Sequence, residues 1–205
     1  VISSDLINMS VTSEDVTIPV LLRKTLPISA KFINQPEDMS YLNNRITIDP
    51  TEIEIAGPEE MFNDYNAVEL EPIDFSKIGS GNTEFEQSLI IPSGCKNLSN
   101  TYTVKVKIDM SGITSRRFNV TNFSIVNQSE GKQARVSTSS VLVTIVGPYS
   151  QISTMLASDI VGEINLNDKG NFTGHTEIPV KFKVNNYSYC WSYGEYSVNI
   201  EISDS

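Results

Sequence analysis

One histidine and two cysteines are all the imidazole and thiol side chains that 205 residues supply for metal ligation or nucleophilic chemistry. A structural zinc needs four ligands, and His175, Cys95 and Cys190 cannot complete such a set. No Gly-x-Ser-x-Gly or His-Glu-x-x-His sequence occurs, and His175 stands in Gly174-His175-Thr176, read as a loop, without a nucleophile motif beside it. No catalytic, cofactor-binding or metal residue is therefore predicted, and an enzyme is not expected. Basic residues are also few, 15 against 25 acids, for a formal charge of −10. Nucleic-acid binding draws its affinity from clustered Lys and Arg, so nucleic acid is excluded as a partner. No apolar run of about 18 residues is present and no methionine opens the chain, so Val1 is expected to lie inside a longer protein. Location is left open by that absence.

Ala and Leu are sparse, whereas Val, Ile, Thr, Ser, Asn and Tyr abound, a composition that favours half-buried strands over helices. The expected fold class is mainly β. The most informative feature is an internal repeat of about ninety residues. Asp49-Pro50-Thr51-Glu52-Ile53-Glu54-Ile55-Ala56-Gly57-Pro58 leads into Glu59-Glu60-Met61-Phe62-Asn63-Asp64-Tyr65. Later, Ser139-Ser140-Val141-Leu142-Val143-Thr144-Ile145-Val146-Gly147-Pro148 leads into Tyr149-Ser150-Gln151-Ile152-Ser153-Thr154-Met155-Leu156. Each copy reads as an alternating strand, a Gly-Pro turn and one short amphipathic helix. A further strand follows, at 67–75 in one copy and 159–166 in the other. The closing strands are Thr103-Val104-Lys105-Val106-Lys107-Ile108 and Ser197-Val198-Asn199-Ile200-Glu201-Ile202. Their strict alternation predicts sheets with one face on a core and one in water. The predicted organisation is a polar lead or tail of an earlier repeat at 1–15, a first repeat at 16–112 and a second at 113–205. A short linker would set the two end to end.

The ordered series of a strand ending in Gly-Pro, a short helix and a strand reaching Ile73-Asp74-Phe75-Ser76 resembles the YbbR repeat. Its second copy departs to Ile164-Asn165-Leu166-Asn167-Asp168. The entering strands Lys31-Phe32-Ile33-Asn34 and Asn122-Phe123-Ser124-Ile125 share the likeness, which runs from about residue 16 to 203. That resemblance implies a Gram-positive bacterial protein with one N-terminal membrane helix and several repeats outside the membrane. It also implies non-enzymatic regulation of a membrane diadenylate cyclase, the source of cyclic di-AMP, as the partner. The family offers no catalytic residues to carry over. A cell-surface stalk or adhesin binding wall polymer or a host ligand is the alternative.

Two constellations are candidates for partner binding. Residues 49–86 hold eleven acids and one base, Lys77, against four acids and one base, Lys169, at 139–178, which singles out Glu59 and Glu60. The competing reading is a solvated face that keeps the chain soluble. Tyr187-Ser188-Tyr189-Cys190-Trp191-Ser192-Tyr193 would place four rings on one face if extended. Exposed, Tyr189, Trp191 and Tyr193 would form a hot spot or a sugar-stacking ladder; buried, they would be core or inter-repeat packing, the favoured reading. Cys95 and Cys190 stand at comparable places in the two repeats and are expected to be free thiols. Seven Asn-x-Ser/Thr triplets, at Asn8, Asn97, Asn119, Asn122, Asn127, Asn171 and Asn186, reflect composition rather than glycosylation. Asp74 and Asp168 read as turn or cap residues in comparable places, and Ser80-Gly81 as a turn.

Overall fold

The computed structural model describes residues 20–81 and 84–205, so the expected lead at 1–15 lies outside the described residues. The first repeat runs β1 (Leu22–Ser29), β2 (Phe32–Ile33), α1 (Ser40–Asn43), β3 (Ile46–Asp49), β4 (Glu52–Gly57), α2 (Met61–Asp64), β5 (Val68–Leu70) and β6 (Ile73–Asp74). A 3-10 turn at Phe75–Lys77 leads on to β7 (Glu84–Ile90), β8 (Lys96–Asn97) and β9 (Thr103–Ile108). The second begins with β10 (Ile113–Val120), β11 (Phe123–Val126), β12 (Lys132–Val136), β13 (Val141–Pro148) and α3 (Tyr149–Ile152). It ends with β14 (Ile160–Asn165), a 3-10 turn at Asn167–Lys169, β15 (Gly174–Val184), β16 (Trp191–Tyr193) and β17 (Tyr196–Asp204).

The two repeats share one topology. The larger sheet of the second is ordered β11-β14-β15-β17-β12, and the first has the matching run β5-β7-β9-β3. A second ladder crosses each core, β10-β13-β16 in one repeat and β1-β4-β8 in the other. In the first repeat the two ladders are joined by a parallel bridge from Ile28 and Ser29 to Val68 and Glu69. Alternation decides the faces: β9 buries Val104, Val106 and Ile108 while its polar residues stay exposed, and β17 buries Val198, Ile200 and Ile202. At about 25 cal/mol per Å2 of apolar area, each such side chain contributes on the order of 2 kcal/mol of burial.

Both Gly-Pro turns stop a strand and start a helix, and Phe62 and Ile152 on those helices are buried. The first repeat carries an additional helix, α1, where the second has only a turn. It has no side-chain cap and only four residues, so it is held by tertiary burial of Leu42 rather than by propensity. The expected strand at 67–75 is broken into β5 and β6, whereas its counterpart β14 is continuous.

Candidate functional site

The aromatic run does not form a ladder. The chain turns between β15 and β16: Asn186 adopts a left-handed φ of 65°, and the Cys190 N–H donates to the Tyr187 carbonyl at 3.1 Å. Only Trp191–Tyr193 is extended, and it pairs with β13 through Val146, Ile145 and Thr144. Trp191 is only 2% exposed. Its ring meets Phe75 edge-on at 5.2 Å, and its Nε1–H donates to the Ile78 carbonyl at 2.8 Å, 113 residues away in the chain. The partner-binding assignment of Trp191 is thus corrected: a ring enclosed by the other repeat offers no surface. Tyr189 is half-buried, with its ring 5.5 Å from that of Tyr41. Tyr193, 39% exposed, stands over Gly79.

Those contacts join the repeats through a shared core rather than through the linker alone. Trp191 and Val146 belong to the apolar cluster built from Phe75, Ile78, Val106 and Met110 of the first repeat. Backbone bonds from Gly194 N to Ser76 O (2.7 Å) and from Asp38 N to Ser188 O (2.9 Å) flank the cluster. Arg45 stacks over Tyr41 at 4.4 Å and donates to the Ser111 carbonyl at 2.6 Å, holding the linker to the first repeat.

Beside this junction the repeats leave a cleft of about 770 Å3. Phe32 and Asp74 from the first repeat and Lys181, Phe182, Ser192 and Tyr196 from the second are among its lining residues. Its polar anchor is a turn found in both repeats. Asp74 Oδ1 accepts from Asn34 Nδ2 (2.8 Å) and Ser76 N (2.9 Å), as Asn165 Oδ1 accepts from Asn127 Nδ2 and Asn167 N (both 2.9 Å). Asn34 and Asn127 both adopt left-handed φ, 51° and 55°, a conformation Asn tolerates well. Partial burial works against ionisation of Asp74, but the bonds from Asn34 and Ser76, with the nearby Lys77 charge, outweigh it and hold the carboxyl below its ordinary range. The counterpart of Asp74 is Asn165, and Asp168 falls in the turn after it, which corrects the pairing of the two aspartates.

The remaining candidates are placed apart from the cleft. Glu59 and Glu60 are exposed at the start of α2. His175 belongs to β15 rather than to a loop and is exposed, 3.8 Å from Glu201. Among the described residues no group of three or more His, Cys, Asp or Glu is arranged to hold a metal ion, and no helix is long and apolar enough to cross a membrane. Cys95 and Cys190 are free thiols in equivalent positions. Each packs against the glycine of its Gly-Pro turn: a Cβ on Gly57 would lie 2.6 Å from Cys95 Sγ, and one on Gly147 would collide with Cys190 Sγ. Burial pushes the Cys190 thiol up to about 12 and raises that of Cys95 as well. The glycine–cysteine contact was invisible in the sequence, because its partners stand far apart along the chain and at unequal intervals in the two repeats.

The profile of the family described as YbbR-like protein matches residues 26–108. Among solved structures, the YbbR-like domain of a Listeria monocytogenes protein is 20% identical and covers 44% of this chain and 94% of its own, with a TM-score of 0.34. A YbbR-like protein from Streptococcus pneumoniae is 11% identical over 94% of this chain and 100% of its own, at a TM-score of 0.34. A Streptococcus thermophilus protein solved in solution is 19% identical over 45% of this chain and 89% of its own, at 0.31. No curated protein matches. With TM-scores this low, the weight rests on the profile match, which coincides with the first repeat from within β1 to the end of β9. The first repeat carries the YbbR-like match, and the second repeats its strand order.

Proposed function

We propose that this chain is a non-enzymatic, extracytoplasmic protein-binding module of a membrane-anchored protein, and that it modulates a membrane diadenylate cyclase and hence cyclic di-AMP synthesis. The observation that carries the reading is the YbbR-like match over most of the first repeat, residues 26–108. The fusion of the repeats through Trp191 supports it in kind, because a shared core presents two domains as one surface of fixed shape, as a regulator acting through protein contacts requires. Glu59, Glu60 and Tyr193 are the solvent-facing candidates for that contact, with Tyr189 half-buried at the junction margin.

A stalk or adhesin is the second reading, favoured by the same rigid junction, since a spacer also gains from stiffness. Gentle crosslinking of the membrane-anchored parent protein in its native host, followed by affinity capture, separates the two. Recovery of the diadenylate cyclase supports regulation; recovery of wall polymer or other surface proteins alone supports the stalk. If the acidic face is the contact, replacing Glu59 and Glu60 together with Lys weakens capture at least tenfold. Unchanged capture removes that face from the interface.

A further inference from the structure

The walls of the inter-repeat cleft include unfinished strand edges. β15 is eleven residues long, but β17 pairs with it only from Gly174 to Val180. From Lys181 to Val184 it is paired, among the described residues, on the β14 side alone, because the chain after Val184 turns away and returns as β16 on a different sheet. In an antiparallel ladder every second residue directs both its N–H and its C=O to a given side, so two of these four residues present backbone groups to the missing neighbour. The facing wall is similar: β2 pairs with β6 and, among the described residues, with no other strand. Unpaired edges are templates for another strand, and natural proteins usually blunt or cover them.

We propose that this cleft takes up an extended polypeptide segment, paired by its backbone to the open edge of β15. Four residues at about 3.3 Å each give an edge of roughly 13 Å, enough for a short strand. Burial alternates along the edge, with Phe182 turned to the core side and Lys181 and Lys183 to solvent, so the occupant carries apolar side chains at every second position. Lys183 is engaged with Glu163 at 2.6 Å, whereas Lys181 has no ion pair of that kind among the described residues, so the occupant places an acidic residue beside Lys181. Glu37 and Glu195 on the cleft walls disfavour a run of acids, leaving one acid among apolar and neutral positions. Strand addition of this kind gains affinity from main-chain bonds and selectivity from alternate side chains.

The inference rests on the reading of the chain as a protein-binding module, and its test is independent of which protein is bound. A phage-displayed library of random linear heptapeptides is panned against the full chain. Enriched peptides with apolar residues at alternate positions are expected, and the best of them should slow amide hydrogen exchange at residues 181–185 at least tenfold. Ser192→Trp, which fills the cleft, should weaken that peptide tenfold or more while far-ultraviolet circular dichroism stays native. Lys181→Glu, on an exposed position, should reduce binding of peptides with the acidic residue. Failure to enrich any peptide, protection confined to another face, or wild-type affinity in both variants overturns the proposal. Cyclase capture in the same strain with no peptide enrichment would overturn the cleft alone and leave the regulatory reading standing.

Discussion

At the level of single residues, the duplication supplies its own controls. Asp74 and Asn165 hold the same turn with the same two bonds, one as a carboxylate and one as an amide. Asp74→Asn should therefore cost under about 1 kcal/mol at pH 7, and Asp74→Ala about 1–2 kcal/mol, because two donors lose their acceptor. The lowered carboxyl of Asp74 stabilises the fold above the unfolded carboxylate range, and that contribution is lost as pH falls below about 4. Urea midpoints at pH 7 and pH 3 should show wild type and Asp74→Asn converging in acid. The thiols give a second prediction. The thiolate is the nucleophile, so Cys190, buried and pushed up to about 12, should resist an aromatic disulfide reagent at pH 8 until the protein is unfolded. Cys95, half-exposed, should react first. None of this was visible residue by residue: the sequence told that Asp74 is a turn residue, but its equivalence to Asn165 depends on a bond to Asn34 forty positions back.

Elements were legible where local chemistry decides them and illegible where distant partners do. The strand, Gly-Pro turn and short helix could be read twice, because alternation and turn residues act within a dozen positions. Helix α1 could not, since Leu42 gains its burial from a cluster that includes the second repeat. The 187–193 segment misled for the same reason: alternation of rings predicts a strand face, but the turn at Asn186 breaks the register after Tyr187 and leaves Trp191 alone in the core. The glycine–cysteine pairs offer an element-scale test. Gly57→Ala and Gly147→Ala should both destabilise, the second more, because its new Cβ also lies 3.2 Å from the Cys190 Cα, which cannot swing away. Adding Cys95→Ala should restore most of the loss at Gly57, whereas Cys190→Ala should restore only part at Gly147. Double-mutant cycles by chemical denaturation measure the difference.

For the molecule as a whole, the shared cluster predicts one cooperative unit. Calorimetry of the full chain should show a single transition with matching calorimetric and van't Hoff enthalpies. Trp191→Ala removes the ring that bridges the repeats and leaves the Ile78 carbonyl without its donor. It should cost about 3–5 kcal/mol and split the transition in two as the repeats melt separately. A single shifted transition would mean that Val146, the flanking backbone bonds and the Arg45 clamp suffice to couple them. The candidate site was the least legible feature at this scale. The cleft is made by two repeats meeting, and no window of sequence contains both Phe32 and Phe182.

The junction is also directional. Val146 pairs with Trp191 just before Gly147, and in the same register Ala56 pairs with Lys96 just before Gly57. The anchoring ring thus belongs to the second repeat alone, and its acceptor, Ile78, to the first. Exchanging the order of the repeats would bring a lysine to the place of the tryptophan, so the array is a sentence that reads in only one direction.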